Sequence, residues 1–423
     1  MLRTALATVV AASLVSLAVA VHGLQEPGLE AMHMSAPEFP PPAGLEPEAG
    51  DLSAAPAAGP QPGMQRSGPA SQPGANLPRS TARPGETASA AEGVTWINSP
   101  PLTMQGLLGK VVMIDFWDPT CINCIRTYPI NKRWWDRYRK YGLEIIGVED
   151  PQFDIPRSLD DVRAAVRRFE LPYPILVDAQ FQVWNSYKSN SWPNRFLIDA
   201  KGYIRYHIRG EGEDAEFERG IQSLLKEAHP ELIFPAGYVI APDQDILAPA
   251  CGGASTPEMY VGDWFGRGVL ANPEGYRDGK TIDYQPQARA EDGRVVVSGR
   301  WETNKNGMIY RGKQKRNEPG DDRATIAYHA RELYTVMNVP HGPHSRLFLM
   351  QDGKYLTAAN KGSDVQIDKQ GRSYIEVQKP RMYYVVRNPE FGSHTLELFP
   401  TSSGFTLNTF TFGNNCQTQF DHI

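Results

Sequence analysis

The 423-residue sequence predicts an α/β unit followed by an all-β sandwich, and three observations carry that prediction. From Val94 on, apolar runs that suit buried strands alternate with segments of helical period in the order βαβαββα. Past residue 255 the pattern changes to short alternating strands broken by Gly-containing turns. Ahead of both, residues 24–92 hold no Val or Ile, one aromatic (Phe39), and abundant Pro, Ala and Gly. Such a segment buries too little surface to offset its ordering entropy and is expected to be a disordered linker.

Taken in order, the chain opens with Arg3 and an uncharged apolar stretch over residues 5–20 that ends in Ala18-Val19-Ala20. This reads as a signal peptide over residues 1–20, with export as its consequence; left uncleaved, it would anchor the chain in the membrane. The linker follows over 21–92, and the α/β unit spans 93–229. Within it, residues 111–117 suit a central strand of a parallel sheet, and Cys121 opens the next helix. Ile130, Trp134, Tyr138 and Tyr141 recur on one face of that helix, Pro129 would kink it, and Gly142 stops it before a strand at 143–148. A second helix over 158–169 carries Ser158 as N-cap and Asp161 in the capping-box position. Strands at 175–177, 196–198 and 204–208 and a closing helix at 217–228 complete the unit.

Residues 230–255, with four prolines, read as a connector, and 256–423 as the sandwich. Its strands are expected at 295–297, 324–328, 346–350, 373–377, 382–386, 395–399 and 406–412. Asp292-Gly293, Asp352-Gly353 and Gln370-Gly371 mark hairpins.

The segment from Val112 to Cys124, VMIDFWDPTCINC, places a strand, an acid and two thiols in a fixed relation. A thiol at a helix N-terminus ionises readily, because unpaired N–H groups and the positive end of the helix dipole favour thiolate. Cys121 is therefore the expected nucleophile and Cys124 the resolving thiol. Asp115, six positions before Cys121, is placed to take the proton of Cys124 if burial raises its pKa. Pro193, ahead of the strand at 196–198, would in cis geometry bring an extended loop beside Cys121. Trp117 and Trp192 are assigned with Pro193 to substrate contact.

These residues, in this order, resemble the thioredoxin superfamily. WINSPPLTMQGLLGKVVMIDFWDPTCINC, YGLEIIGVEDPQF and SWPNRFLIDAKGYIRYHIRGEG are similar to the TlpA and ResA type, and most of all to the soluble C-terminal half of DipZ proteins. STPEMYVGDWFGRGVL, GRVVVSGRW and GSDVQIDKQGRSYIEVQKPRMYYVVRN resemble the carbohydrate-binding-module-like jelly roll that follows thioredoxin there. The resemblance implies a thioredoxin-like fold with a C-terminal jelly roll, and thiol-disulfide exchange with envelope protein thiols or disulfides. DipZ proteins carry a multi-span membrane domain that these 423 residues do not show, so a reductase would draw on a separate membrane electron donor; an oxidant would need none.

A zinc site at Cys121 and Cys124 would require two more ligands that no second paired knuckle supplies, so no metal or other cofactor is expected. A thiol peroxidase would carry Pro and Thr where Ile114 and Asp118 stand. A carbohydrate- or partner-binding protein could use the thioredoxin unit as a scaffold, with Trp264, Phe265, Tyr276, Trp301 and Tyr310 as a sugar-stacking platform. His341 and His344 lie in a Pro/Gly loop with no third ligand. Cys251 and Cys416 are expected to form a structural disulfide, which in an oxidising compartment stabilises by roughly 5 kcal/mol. With a net charge of −5 and no extended basic tract, nucleic acid is not an expected partner; Lys132, Arg133, Arg137, Arg139 and Lys140 read as a solvated helix face.

Overall fold

The computed structural model describes residues 94–153, 155, 157–235, 254–263, 268–287, 290–313, 318–339 and 345–414. The leader, the linker, Cys251, Cys416, Trp264, Phe265, His341 and His344 lie outside them.

The α/β region is built on strands β1 (Thr95–Ile97), β2 (Val111–Trp117), β3 (Leu143–Glu149), β4 (Ile175–Val177), β5 (Asn194–Ile198) and β6 (Ile204–Arg209). They form one sheet in the order β1-β4-β3-β2-β5-β6. Every residue of β2 and β3 is buried, as expected where neighbours cover both faces of a strand, and this is why β2 reads as an apolar run without alternation. The sheet is mixed: β2 pairs with β3 in parallel and with β5 antiparallel, and β5 pairs antiparallel with β6. The C-terminal ends of β2, β3 and β6 and the N-terminal end of β5 therefore share one edge.

Among the described residues, four helices accompany the sheet: α1 (Ile122–Tyr138), α2 (Leu159–Arg168), α3 (Gln182–Ser186) and α4 (Asp214–Ala228). Helix α1 buries Ile130, Trp134 and Tyr138, contains Pro129, and is followed by a short 3-10 turn that Gly142 closes at φ 102°. The capping box of α2 is present in both directions between Ser158 and Asp161. Helix α4 begins three residues before the expected position, because the residue that opens it is the buried Asp214 rather than an apolar one. The short α3 was not legible from periodicity.

The C-terminal region comprises β7 (Met259–Tyr260), β8 (Lys280–Tyr284), β9 (Val295–Asn304), β10 (Gly307–Tyr310), β11 (Arg323–Asn338), β12 (Ser345–Gln351), β13 (Lys354–Tyr355), β14 (Gln366–Ile367), β15 (Ser373–Val377), β16 (Arg381–Pro400) and β17 (Thr406–Gly413). They make a large antiparallel sheet ordered β14-β15-β12-β16-β11-β17-β10-β9-β8. Because β9 pairs with β11 as well as β10, the strands β11, β17, β10 and β9 close into a ring. The expected strands at 382–386 and 395–399 are halves of the 20-residue β16. Pro389 between them sits in the register shift opposite Arg331, where no ladder N–H is required. Asp352 and Gly353, both at positive φ, form the two-residue turn between β12 and β13.

Two members of the expected sugar platform are core residues. Trp301 and Tyr310 are fully buried and packed on each other, and the Tyr276 hydroxyl is bonded within the region to the Val261 carbonyl and the Leu270 N–H. Aromatics at alternating strand positions fill the interior here rather than face a ligand.

Candidate redox site

Cys121 is the N-cap of α1, on the shared edge of the sheet immediately beyond β2. It is disulfide-bonded to Cys124, with the Cα atoms 5.3 Å apart, and its Sγ accepts from the Cys124 N–H at 3.1 Å. An N–H group of the first helical turn thus points at the sulfur, the arrangement that favours thiolate once the pair is reduced. The loop between β2 and the helix is held by Asp118. Its carboxylate accepts from the Thr120 N–H at 2.6 Å and the Gln152 N–H at 2.8 Å, is bonded by the Thr120 hydroxyl, and pairs with Arg157 at 2.7 Å. Arg157 also pairs with Glu149 at 2.8 Å, and burial, partly offset by Arg157, raises that carboxyl to about 7.

Asp115 lies on β2 with no exposed surface. Its Oδ2 accepts from Asn131 Nδ2 of α1 at 2.8 Å, while Oδ1 has no hydrogen-bond partner among the described residues. Desolvation raises its pKa from 3.8 to about 7, against the pull of Arg195 and the Asn131 hydrogen bond. At neutral pH this carboxyl is therefore poised between its two forms, as a proton acceptor requires. Arg195 is the register partner of Asp115 on β5 and is equally buried. It pairs with Asp214 at 2.8 Å, donates to the Gly212 carbonyl at 2.9 Å, and lies over the rings of Trp134 and Phe217.

Asn131, Arg195 and Asp214 were missed in the sequence. A charged residue directly ahead of the apolar run at 196–198 was the available signal for Arg195.

The Trp192–Pro193 peptide bond is cis. Phe116 faces Asn194 across the β2–β5 ladder, so Pro193 stands one position further along, level with Trp117 and the start of the CINC loop. Its carbonyl accepts from the Gly210 N–H at 2.9 Å. Trp192 stacks on Trp184 with centroids 4.2 Å apart and is 9% exposed. Trp117 departs from its expected substrate-facing role. It is fully buried, edge-on to Tyr128, with its indole against Gly147, because it ends a strand covered on both faces. Cys251 and Cys416, expected as a structural pair, lie outside the described residues. Among the described residues no helix is long and apolar enough to cross a membrane.

Residues 88–207 match the AhpC/TSA family, and residues 256–413 match the thioredoxin like C-terminal domain. Protein DipZ of Mycobacterium bovis and of Mycobacterium tuberculosis is in each case 32% identical over 337 residues, covering 77% of this chain and 43% of the relative. The chain thus spans less than half the length of these relatives. The thiol-disulfide oxidoreductase ResA of Geobacillus kaustophilus is 32% identical over 118 residues, 27% of this chain and 64% of its own. The DipZ match is longer than either folded region, so it takes in both. The α/β region is thus similar to the AhpC/TSA family and to ResA, and the α/β and all-β regions together are similar to the DipZ proteins.

Proposed function

We propose that the chain is a protein thiol-disulfide oxidoreductase that exchanges disulfides with cell-envelope proteins through Cys121 and Cys124. The observation that carries this reading is the disulfide pair at the N-cap of α1, set beyond a strand that holds the desolvated Asp115. In the reducing direction, Cys121 thiolate attacks a substrate disulfide, forms a mixed disulfide and releases one substrate thiolate. Cys124, its proton accepted by Asp115, then attacks Cys121 Sγ. The Cys121–Cys124 bond forms, the second substrate thiolate leaves, and two electrons have passed to the substrate. The oxidising direction is the reverse. The loop at Pro193 holds the substrate segment beside the sulfur. The apolar leader supports export, and in the reducing direction a membrane electron donor would re-reduce the pair.

The AhpC/TSA match makes a peroxide the second candidate substrate. Against it, the position three residues before Cys121 carries Asp118, whose carboxylate is already engaged by Thr120, Gln152 and Arg157. Parallel assays of the reduced protein separate the readings. Insulin reduction that disappears in Cys121→Ser, with no matching consumption of hydrogen peroxide, is the expected result. Peroxide consumption without insulin reduction selects the peroxidase, and glycan retention without either leaves the thioredoxin unit as a scaffold.

A further inference from the structure

Arg126 stands two residues beyond Cys124 and is 16% exposed. Its guanidinium donates to Asn123 Oδ1 at 3.1 Å, to Glu211 Oε1 at 3.0 Å and to the Phe412 carbonyl at 3.3 Å. Asn123 lies between the two cysteines. Glu211 follows β6, one residue after the Gly210 that bonds Pro193. Phe412 belongs to β17 of the all-β region. Glu332 and Tyr334 of β11, joined by a 2.7 Å hydrogen bond, add their charge and dipole around the same guanidinium.

At the other end of the shared sheet edge, beyond β3, Gln152 donates to the Tyr260 hydroxyl at 3.4 Å and Phe153 packs on the Tyr260 ring. Glu258 ties the two anchors together, accepting from Tyr260 at 3.1 Å and from Thr411 at 3.2 Å. The segment around β7 and the end of β17 therefore reach both flanks of the edge from which the redox motif leaves. Cys121 is 5% and Ile122 4% exposed, and within the motif only Asn123 keeps partial exposure.

We propose that the all-β region forms a wall of the substrate groove, and that Arg126 is the positioning residue that fixes this wall to the redox motif and to the turn beside Pro193. A wall at both flanks leaves room for an extended, disulfide-bearing segment and excludes a folded surface. The preferred partners are then disulfides in unfolded or loosely structured protein. This rests on the exchange reading above.

The test uses the full chain, reduced and freed of reductant. Single-turnover rates are measured on oxidised glutathione, an unstructured peptide with one disulfide, and a folded domain with one disulfide on its surface. The native protein should reduce the first two and act several-fold more slowly on the third. Arg126→Met should raise the rate on the folded domain several-fold relative to the rates on the two small disulfides. Tyr260→Ala, which frees the opposite anchor, should do the same by an independent change. Equal rates on peptide and folded domain in the native protein, or variants that alter all three rates in proportion, would overturn the wall. Failure of the native protein to reduce even glutathione and the peptide would remove the exchange reading, and this inference with it.

Discussion

Replacing Asp115 by Asn tests the buried proton acceptor through stability as well as rate. The side chain has no exposed surface, and its folded pKa is about 7 against 3.8 for the ordinary carboxyl. Between these values the native state holds a proton that the unfolded chain has lost, so native stability falls as pH climbs from 3.8 to about 7. Each tenfold change in proton affinity is worth about 1.4 kcal/mol, which sets the full cost of the ionised carboxylate at about 4 kcal/mol. Asn carries no such cost and can still meet Asn131. Urea unfolding of oxidised protein, followed by tryptophan fluorescence from pH 4 to 9, should show little difference at the acid end. The variant should gain on the native chain up to neutrality, by as much as about 4 kcal/mol, and hold its lead above it. Its resolving step should be slow and without the native inflection near neutral pH. A stability difference that does not vary with pH would refute the reasoning, because it would place the titration of Asp115 outside this range.

The fully buried Arg195–Asp214 pair makes a second prediction: Arg195→Met takes the guanidinium away from the buried Asp214 carboxylate and should destabilise by about 3–5 kcal/mol. The same change removes the charge that holds Asp115 down, so the pH inflection of the resolving step should move upward, as stopped-flow rates would show. A Cβ at Gly147 would lie 2.8 Å from Ile175 Cδ1 and 2.9 Å from Trp117 Nε1. Gly147→Ala should therefore cost about 1–3 kcal/mol by overpacking, read as a lowered melting temperature.

Much of the site was legible because its signals are local. The run in β2, the spacing of Asp115, Cys121 and Cys124, and the Ser158–Asp161 box each lie within one element or one turn, where periodicity and helix-end chemistry act directly. Gly142 and the Asp352-Gly353 turn were equally readable, since left-handed backbone favours few residue types. What escaped depends on pairing across elements. Arg195 meets Asp115 only through the β2–β5 register, and Arg126 meets Phe412 across 286 residues of sequence. The 20-residue β16 escaped for a related reason: a Pro and a Gly that break a strand locally are carried there by the long neighbour β11 and its register shifts. Trp117 and Trp301 were given to ligand contact because aromatic type alone does not separate a binding face from a core.

The most direct measurement is an acid-quenched time course of the Cys124→Ser protein with a disulfide-bonded envelope substrate, resolved by mass on non-reducing gels. Removing the resolving thiol strands the first covalent complex, so one substrate should accumulate on Cys121, while Cys121→Ser captures none. Equal capture by the two variants, or disulfide reduction that proceeds without any adduct on Cys121, would contradict the account.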